Sequence, residues 1–187
     1  EMDKDVVKLR MVTERFSSIG SKPVIQSGNV YESIEDTINY LRPRISTKVD
    51  LNIHADSKDL DAMMNKPLFE WVIENICKNA VDAMRGKGQI DIEILQDSDK
   101  YVIIDITDTG KGMEKRMYRR VFNPGFSTRQ RGWGLGLTLA KRIVEGYHGG
   151  KIFVKHSEVG KGTTFRILLH GSHEGASQFI TEGILEY

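Results

Sequence analysis

The sequence predicts an α+β fold: a two-layer sandwich of a mixed, mostly antiparallel sheet with helices on one face. Three observations predict it. Two adjacent strand pairs are each joined by a short polar turn, "GQIDIEIL"/"YVIIDITD" and "GKIFVKHS"/"TTFRILLH". Neighbours joined this way pair antiparallel. A long apolar-striped helix, "MNKPLFEWVIENICKNAVDAM" (64–84), lies between an isolated strand and the first pair. Strands and helices follow one another without internal repeat or low-complexity tract, as in helices packed on a single sheet.

In order along the chain, Met2, Val6, Leu9, Val12, Phe16 and Ile19 are spaced alternately by three and four. That spacing gives one narrow apolar seam, as in a helical hairpin or dimer stem, or in a helix docked on its own domain. The stem reading is favoured because "GSKP" (20–23) looks like a break before the main domain. "NVYESIEDTINYL" (29–41) predicts a helix, with Asn29 as its cap and Pro43 past its end. "VDLNIHA" (49–55) alternates as a half-buried strand. Pro67 falls in the first turn of the long helix. "KRMYRRVF" predicts a short helix, "NPGFSTRQRGWG" a long loop, and "LGLTLAKRIVEGYH" a helix. The boundaries read as stem helix 1–20, one domain 24–170, and a weakly patterned tail 171–187.

The totals narrow the class. The chain has 187 residues, 39% hydrophobic and 28% charged, enough for one domain with a sizeable core. The formal charge of +1 points to no nucleic-acid partner. Cys77 is the only cysteine, so no internal disulfide forms and a reducing compartment is expected. It falls within the apolar helical pattern and reads as core. No run spans a bilayer and no signal peptide is visible. The chain starts in mid-pattern without methionine and reads as a fragment.

Four features carry chemistry. Val102, Ile104 and Ile106 share one face of a strand, and Asp108 continues it. An ionised acid there needs a donor or suffers desolvation. Gly110 and Gly112 follow, and bare backbone lets a flat ligand approach. The stretch "DTGKGM" is either a plain turn or an acceptor for the amino edge of adenine. Asn75 and Asn79 share one helix face beside the core. Asparagine is a mediocre helix former; the pair is either solvent-bonded or supplies amide oxygens, hard neutral ligands suited to Mg²⁺. Gly132, Gly134 and Gly136 alternate ahead of a helix whose N–H groups favour phosphate. Arg129 and Arg131 stand before them, reaching either a triphosphate or solvent. The length and glycine content of 123–136 suit a flexible lid. Thr163 in "GKGTTF" either supports Asp108 through its hydroxyl or is ordinary strand threonine.

Taken in order, the asparagine helix, "DTGKGM", "NPGF", "GWGLGL" and "GKGTTF" resemble the ATP-binding catalytic domain of sensor histidine kinases, within the GHKL superfamily shared with gyrase, MutL and a heat-shock chaperone. The likeness runs from about residue 30 to 170. It implies Mg-ATP as cofactor, with Asp108 as adenine acceptor and Asn79 as metal ligand, helped near the phosphates by Asn75. Gly110 and Gly112 match the first glycine box. Gly132, Gly134 and Gly136, with Leu135, match the second. Phe122 and Phe126 resemble the box that anchors the lid, and His148 matches a structural "HGG". The seam at 2–19 resembles the end of the dimerisation stem. The resemblance implies transfer of the γ-phosphoryl group to a histidine outside this stretch. The implied partners are the stem helices of the same kinase, a homodimeric whole and a response regulator receiver domain. The implied location is the cytoplasmic side of an inner-membrane-anchored bacterial sensor.

There are departures. Asp82 and Ala83 stand where such kinases often carry a lysine and an aromatic, and Trp133 where a small residue or threonine is usual. No phosphoacceptor motif accompanies any of the five histidines. An ATP hydrolase of the gyrase type is an alternative, but its water-activating glutamate would fall at Asn75. Glu74 is one step off, about 100° round the helix, and suits instead a base toward an imidazole. A nucleotide-holding adapter without transfer is the third reading.

Overall fold

The computed structural model describes residues 23–97, 100–126 and 134–172. The expected stem helix, Arg129, Arg131, Gly132, Trp133 and the tail from 173 lie outside the described residues.

Strand β1 (Gln26–Asn29) leads into helix α1 (Val30–Leu41). Asn29 caps the helix: its Oδ1 accepts the Glu32 N–H at 2.9 Å, satisfying a donor the first turn leaves open. Strand β2 (Val49–Ala55) and the short β3 (Asp61–Met64) precede helix α2 (Lys66–Ala83). Asn65 caps α2 through Leu68 N–H, and Pro67 sits in the first turn, where its missing donor costs nothing. Strands β4 (Gly88–Asp97) and β5 (Tyr101–Asp108) form the first hairpin. After two single-turn 3₁₀ segments at Lys115–Met117 and Arg120–Phe122, helix α3 (Gly136–Lys141) continues as a π-helical stretch, Arg142–Tyr147. Strands β6 (Lys151–Glu158) and β7 (Gly162–His170) close the domain.

The main sheet has the order β2-β4-β5-β7-β6. All its pairs are antiparallel except β2 with β4, which are parallel because α2 carries the chain across between them. The expected mixed, mostly antiparallel sheet is present. Ile90, Ile92, Ile94, Ile104, Ile106 and Ile167 line one face and are at most 1% exposed. Against them pack Ile34 and Ile38 of α1 and Phe69, Val72, Ile73 and Ile76 of α2. Each such side chain contributes about 2 kcal/mol by leaving water.

Three expectations are corrected. The sequence reading missed β1 and β3, which pair antiparallel as a separate two-stranded sheet. Each has four residues, too few to show alternation, and each finds its partner some thirty residues away. The segment "KRMYRRVF" forms two separate 3₁₀ turns, not one helix. The domain does not end at 170: Gly171 pairs with Ala62, and the Ser172 N–H donates to the Asp61 carbonyl at 3.1 Å.

Candidate nucleotide site

The site is built on α2. Asn75, Asn79 and Ala83 recur every four residues and so form one stripe along the helix. At one end, the Asn75 Nδ2 donates to the Gly136 carbonyl at 3.1 Å. A Cβ added to Gly136 would come within 2.6 Å of Asn75 Oδ1, so the first residue of α3 touches this amide because it lacks a side chain. At the other end, the Lys111 N–H donates to the Ala83 carbonyl at 3.1 Å, and a Cβ on Gly110 would meet Ala83 at 2.8 Å. The stripe therefore has the second glycine turn at one end and the acid turn at the other. It is about 12 Å long, the scale that separates base from terminal phosphate in a nucleoside triphosphate. Asn79 is its midpoint and is half-buried.

Asp108 is 4% exposed at the end of β5, on the helix-facing side. Its Oδ1 accepts the Gly110 N–H at 2.8 Å, and the backbone of Thr163 on β7 supplies a second donor. Burial raises the carboxyl to about 6, and these two bonds only partly offset it. Among the described residues no cationic partner contributes. A carboxylate held mainly by neutral donors in a dry site can accept a hydrogen bond from an exocyclic amine, which fits adenine.

The turn after Asp108 is tight for reasons internal to the protein. Gly112 has φ +61°, and a Cβ there would overlap the Glu158 carbonyl at 1.9 Å. The glycines thus seat the turn against α2 and the β6–β7 turn, more than they leave room for ligand. Beneath lies a feature the sequence reading missed. The register of β6 shifts between Val154 and His156, a bulge that turns Ser157 inward. Ser157 Oγ donates to the Gly162 carbonyl at 2.8 Å, accepts the Met113 N–H at 2.9 Å and lies 2.9 Å from Thr163 Oγ1. With its proton on Gly162, Ser157 accepts from Thr163. The Thr163 hydroxyl therefore serves Ser157, and Thr163 supports Asp108 through its backbone; of the two readings of Thr163, the hydroxyl contact with Asp108 is not the one formed. The Tyr118 hydroxyl bonds both the N–H and the carbonyl of Ser157 at 2.6 Å. A bulge leaves no periodic signature, so neither Ser157 nor Tyr118 was legible.

On the lid side, Phe122 is buried edge-on against Phe165, centroids 6.2 Å apart, and Phe126 packs against the core. Thr138 Oγ1 donates to the Phe122 carbonyl at 2.9 Å, tying α3 to this segment. Gly134, with φ +63°, presses on the backbone of Gly125 and Phe126. Leu135 is 39% exposed. Glu74 lies off the asparagine stripe and pairs with Lys78 one turn on. Cys77 is buried, and burial raises its thiol to about 12, so it belongs to the core as expected. Among the described residues no group of three His, Cys, Asp or Glu could hold a metal. Any Mg²⁺ here would rest on an amide oxygen and the phosphates themselves, a donor set that Asn79 fits.

A helix-layered sheet with a buried carboxylate at a strand end and an amide-bearing helix beside it defines a nucleotide-binding domain. The chain belongs to the histidine kinase-, DNA gyrase B-, and HSP90-like ATPase family, whose model matches residues 64–173. It is 33% identical over 143 residues to the signal transduction histidine-protein kinase AtoS of Escherichia coli, covering 76% of this chain and 23% of that protein. It thus spans well under half the length of the curated relatives it matches. The structure superposes on the catalytic domain of histidine kinase ThkA with a TM-score of 0.71 at 25% identity, covering 78% of this chain and 95% of that one. It also superposes on ThkA in complex with the response regulator protein TrrA, with a TM-score of 0.72 at 21% identity, covering 90% of this chain and 48% of that one. Its fold is that of a histidine kinase catalytic domain. Among the described residues no helix is long and apolar enough to cross a membrane.

Proposed function

We propose that this domain binds Mg-ATP along the α2 stripe and passes the γ-phosphoryl group to a histidine elsewhere in the same kinase. The observation that carries the reading is the stripe itself, with Asp108, buried and met by no cation among the described residues, at one end and the Gly136 turn at the other. Asp108 accepts the adenine amine. Asn75 and the Gly134–Gly136 turn meet the phosphates, with Arg129, Arg131 and Gly132 approaching from the lid. Asn79 offers its amide oxygen to Mg²⁺, which when bound neutralises charge on the transferring group. Glu74, drawn from Lys78 by an incoming imidazole, takes the proton as base. Positioning and charge neutralisation carry the rest of the reaction, because phosphoryl transfer asks little covalent chemistry of the protein.

The kinship with AtoS supports transfer over hydrolysis, and Asn75 occupies the position where hydrolase relatives need a glutamate. The whole protein is proposed to be a membrane-anchored homodimer whose stem carries the acceptor histidine and serves a receiver domain; that ThkA forms a complex with the response regulator protein TrrA supports this partner. The test is to incubate the 187-residue chain with γ-labelled ATP, alone and with a stem fragment bearing the histidine. Acid-labile label on the stem and none on the chain is expected. Acid-stable label on the chain itself would overturn the reading.

A further inference from the structure

We infer that His148 is a positioning residue: its neutral ring ties the end of the helix after the glycine turn to the first turn of α2, holding apart the two walls of the phosphate site. The inference rests on the nucleotide reading above.

His148 is 5% exposed. Its Nδ1 lies 2.8 Å from the Ile143 carbonyl, and its Nε2 accepts the Asn65 N–H at 2.9 Å. A carbonyl can only accept and a backbone N–H can only donate. The proton is therefore on Nδ1 and Nε2 is bare. The π-helical stretch makes this possible. Its wider turn lets the His148 N–H also reach the Ile143 carbonyl, at 3.1 Å, so that one oxygen receives both backbone and ring. The following glycines fix the ring's place. Gly149 has φ +64°, and a Cβ on Gly150 would lie 2.2 Å from the Leu168 carbonyl.

The ring's other partner, Asn65, caps α2 through Leu68 N–H and holds Val24 through Nδ2 at 3.0 Å. Moving His148 therefore moves the start of α2. Two hydrogen bonds tie these elements among the described residues at the places that matter here: Asn65 with His148, and Asn75 with Gly136. These lie about 15 Å apart along α2. When phosphates engage the Asn75 amide, the second tie is given up. The first remains, and with it the spacing between Asn75 and the glycine turn. Asp108 lies at the far end of α2 and does not depend on it.

The experiment compares His148→Phe, which fills the volume without either bond, with His148→Gln, which offers one donor and one acceptor. Each variant of the 187-residue chain is titrated with Mg-ATP and with adenosine, and amide exchange at Asn65 is read without ligand. With Phe, Mg-ATP affinity is expected to fall about tenfold, adenosine affinity to stay within about twofold, and Asn65 to lose protection. Gln is expected to restore most of both. Ring-nitrogen shifts are expected to report Nδ1–H. Equal losses on both ligands, an unprotected Asn65 in the parent chain, or an Nε2–H ring would overturn the inference. If the parent chain binds neither ligand, the nucleotide reading falls, while exchange at Asn65 still decides the tie.

Discussion

Asp105 and Asp108 lie three residues apart on β5 and are 1% and 4% exposed, yet their surroundings are opposite. Asp105 is on the sheet face away from the helices. The Arg166 Nε and Nη2 each donate to one of its oxygens at 2.7 Å, and Lys155 Nζ reaches it at 2.7 Å. Burial pushes that carboxyl up, but the two cations together more than reverse it, and it stays below the ordinary range. Asp108 is similarly little exposed on the other face, has only backbone donors among the described residues, and rises to about 6. A buried acid whose charge is met by side chains is finished as structure. One left with neutral donors has acceptor capacity to spare, and that difference marks the site.

Exchanging Asp108 for Asn is the largest test of this contrast. The amide still accepts Gly110 N–H but turns its NH₂ toward the adenine amine, donor against donor. Nucleotide affinity measured by calorimetry is expected to fall by at least about a hundredfold. Stability at pH 7 is expected to hold or rise, since no charge is left to desolvate. A folded variant that still binds ATP as the parent does would remove the contrast.

Asp105→Ala should do the reverse. It leaves Arg166 without its bidentate partner, and urea unfolding is expected to show a loss of about 2 kcal/mol, reduced from the fully buried case because Lys155 is 43% exposed. ATP affinity is expected to change by less than about twofold. Because its folded pKa is depressed, Asp105 contributes stability above the ordinary value of 3.8 that disappears as pH falls through the folded pKa.

Acid separates the two residues in the same protein. In the proposed function, Asp108 must be ionised to receive the adenine amine. Affinity is expected to weaken by up to about tenfold per unit once pH drops below about 6. Its raised pKa has the opposite effect on the unliganded fold: ionising it between 3.8 and about 6 costs stability, so this contribution improves as pH falls through that window. Asp108→Asn is expected to flatten both slopes. A parent affinity unchanged from pH 7 to 5 would show that the carboxylate is not the acceptor.

The smallest effect sharpens the stripe. Asn79→Ala is expected to weaken ATP binding about fivefold with Mg²⁺ present and hardly at all with chelator. Equal losses in the two titrations would move the metal elsewhere.

Much of this was legible in order and spacing. The alternation Val102, Ile104, Ile106 fixes which way Asp108 points, and a four-residue interval puts Asn75 and Asn79 on one face, because strand and helix periods are local properties of the backbone. Asp105 was not legible as buried: by alternation it belongs to the open face, and it is covered only because Arg166 and Lys155 come from two other strands. Ser157 turned inward through a bulge, and β1 and β3 are strands only because each finds the other.

By itself the sequence determined the longer elements of the main sheet and its helices, the helix caps at Asn29 and the first turn of α2, and the acid and amides of the candidate site, since propensity, capping and periodicity act over a few residues. Tertiary structure decided that Ala83 meets Gly110 and Asn75 meets Gly136, that Thr163 serves Asp108 through its backbone, and that His148 reaches Asn65. Those pairings join positions far apart along the chain, and only packing against the common sheet brings them within hydrogen-bonding distance.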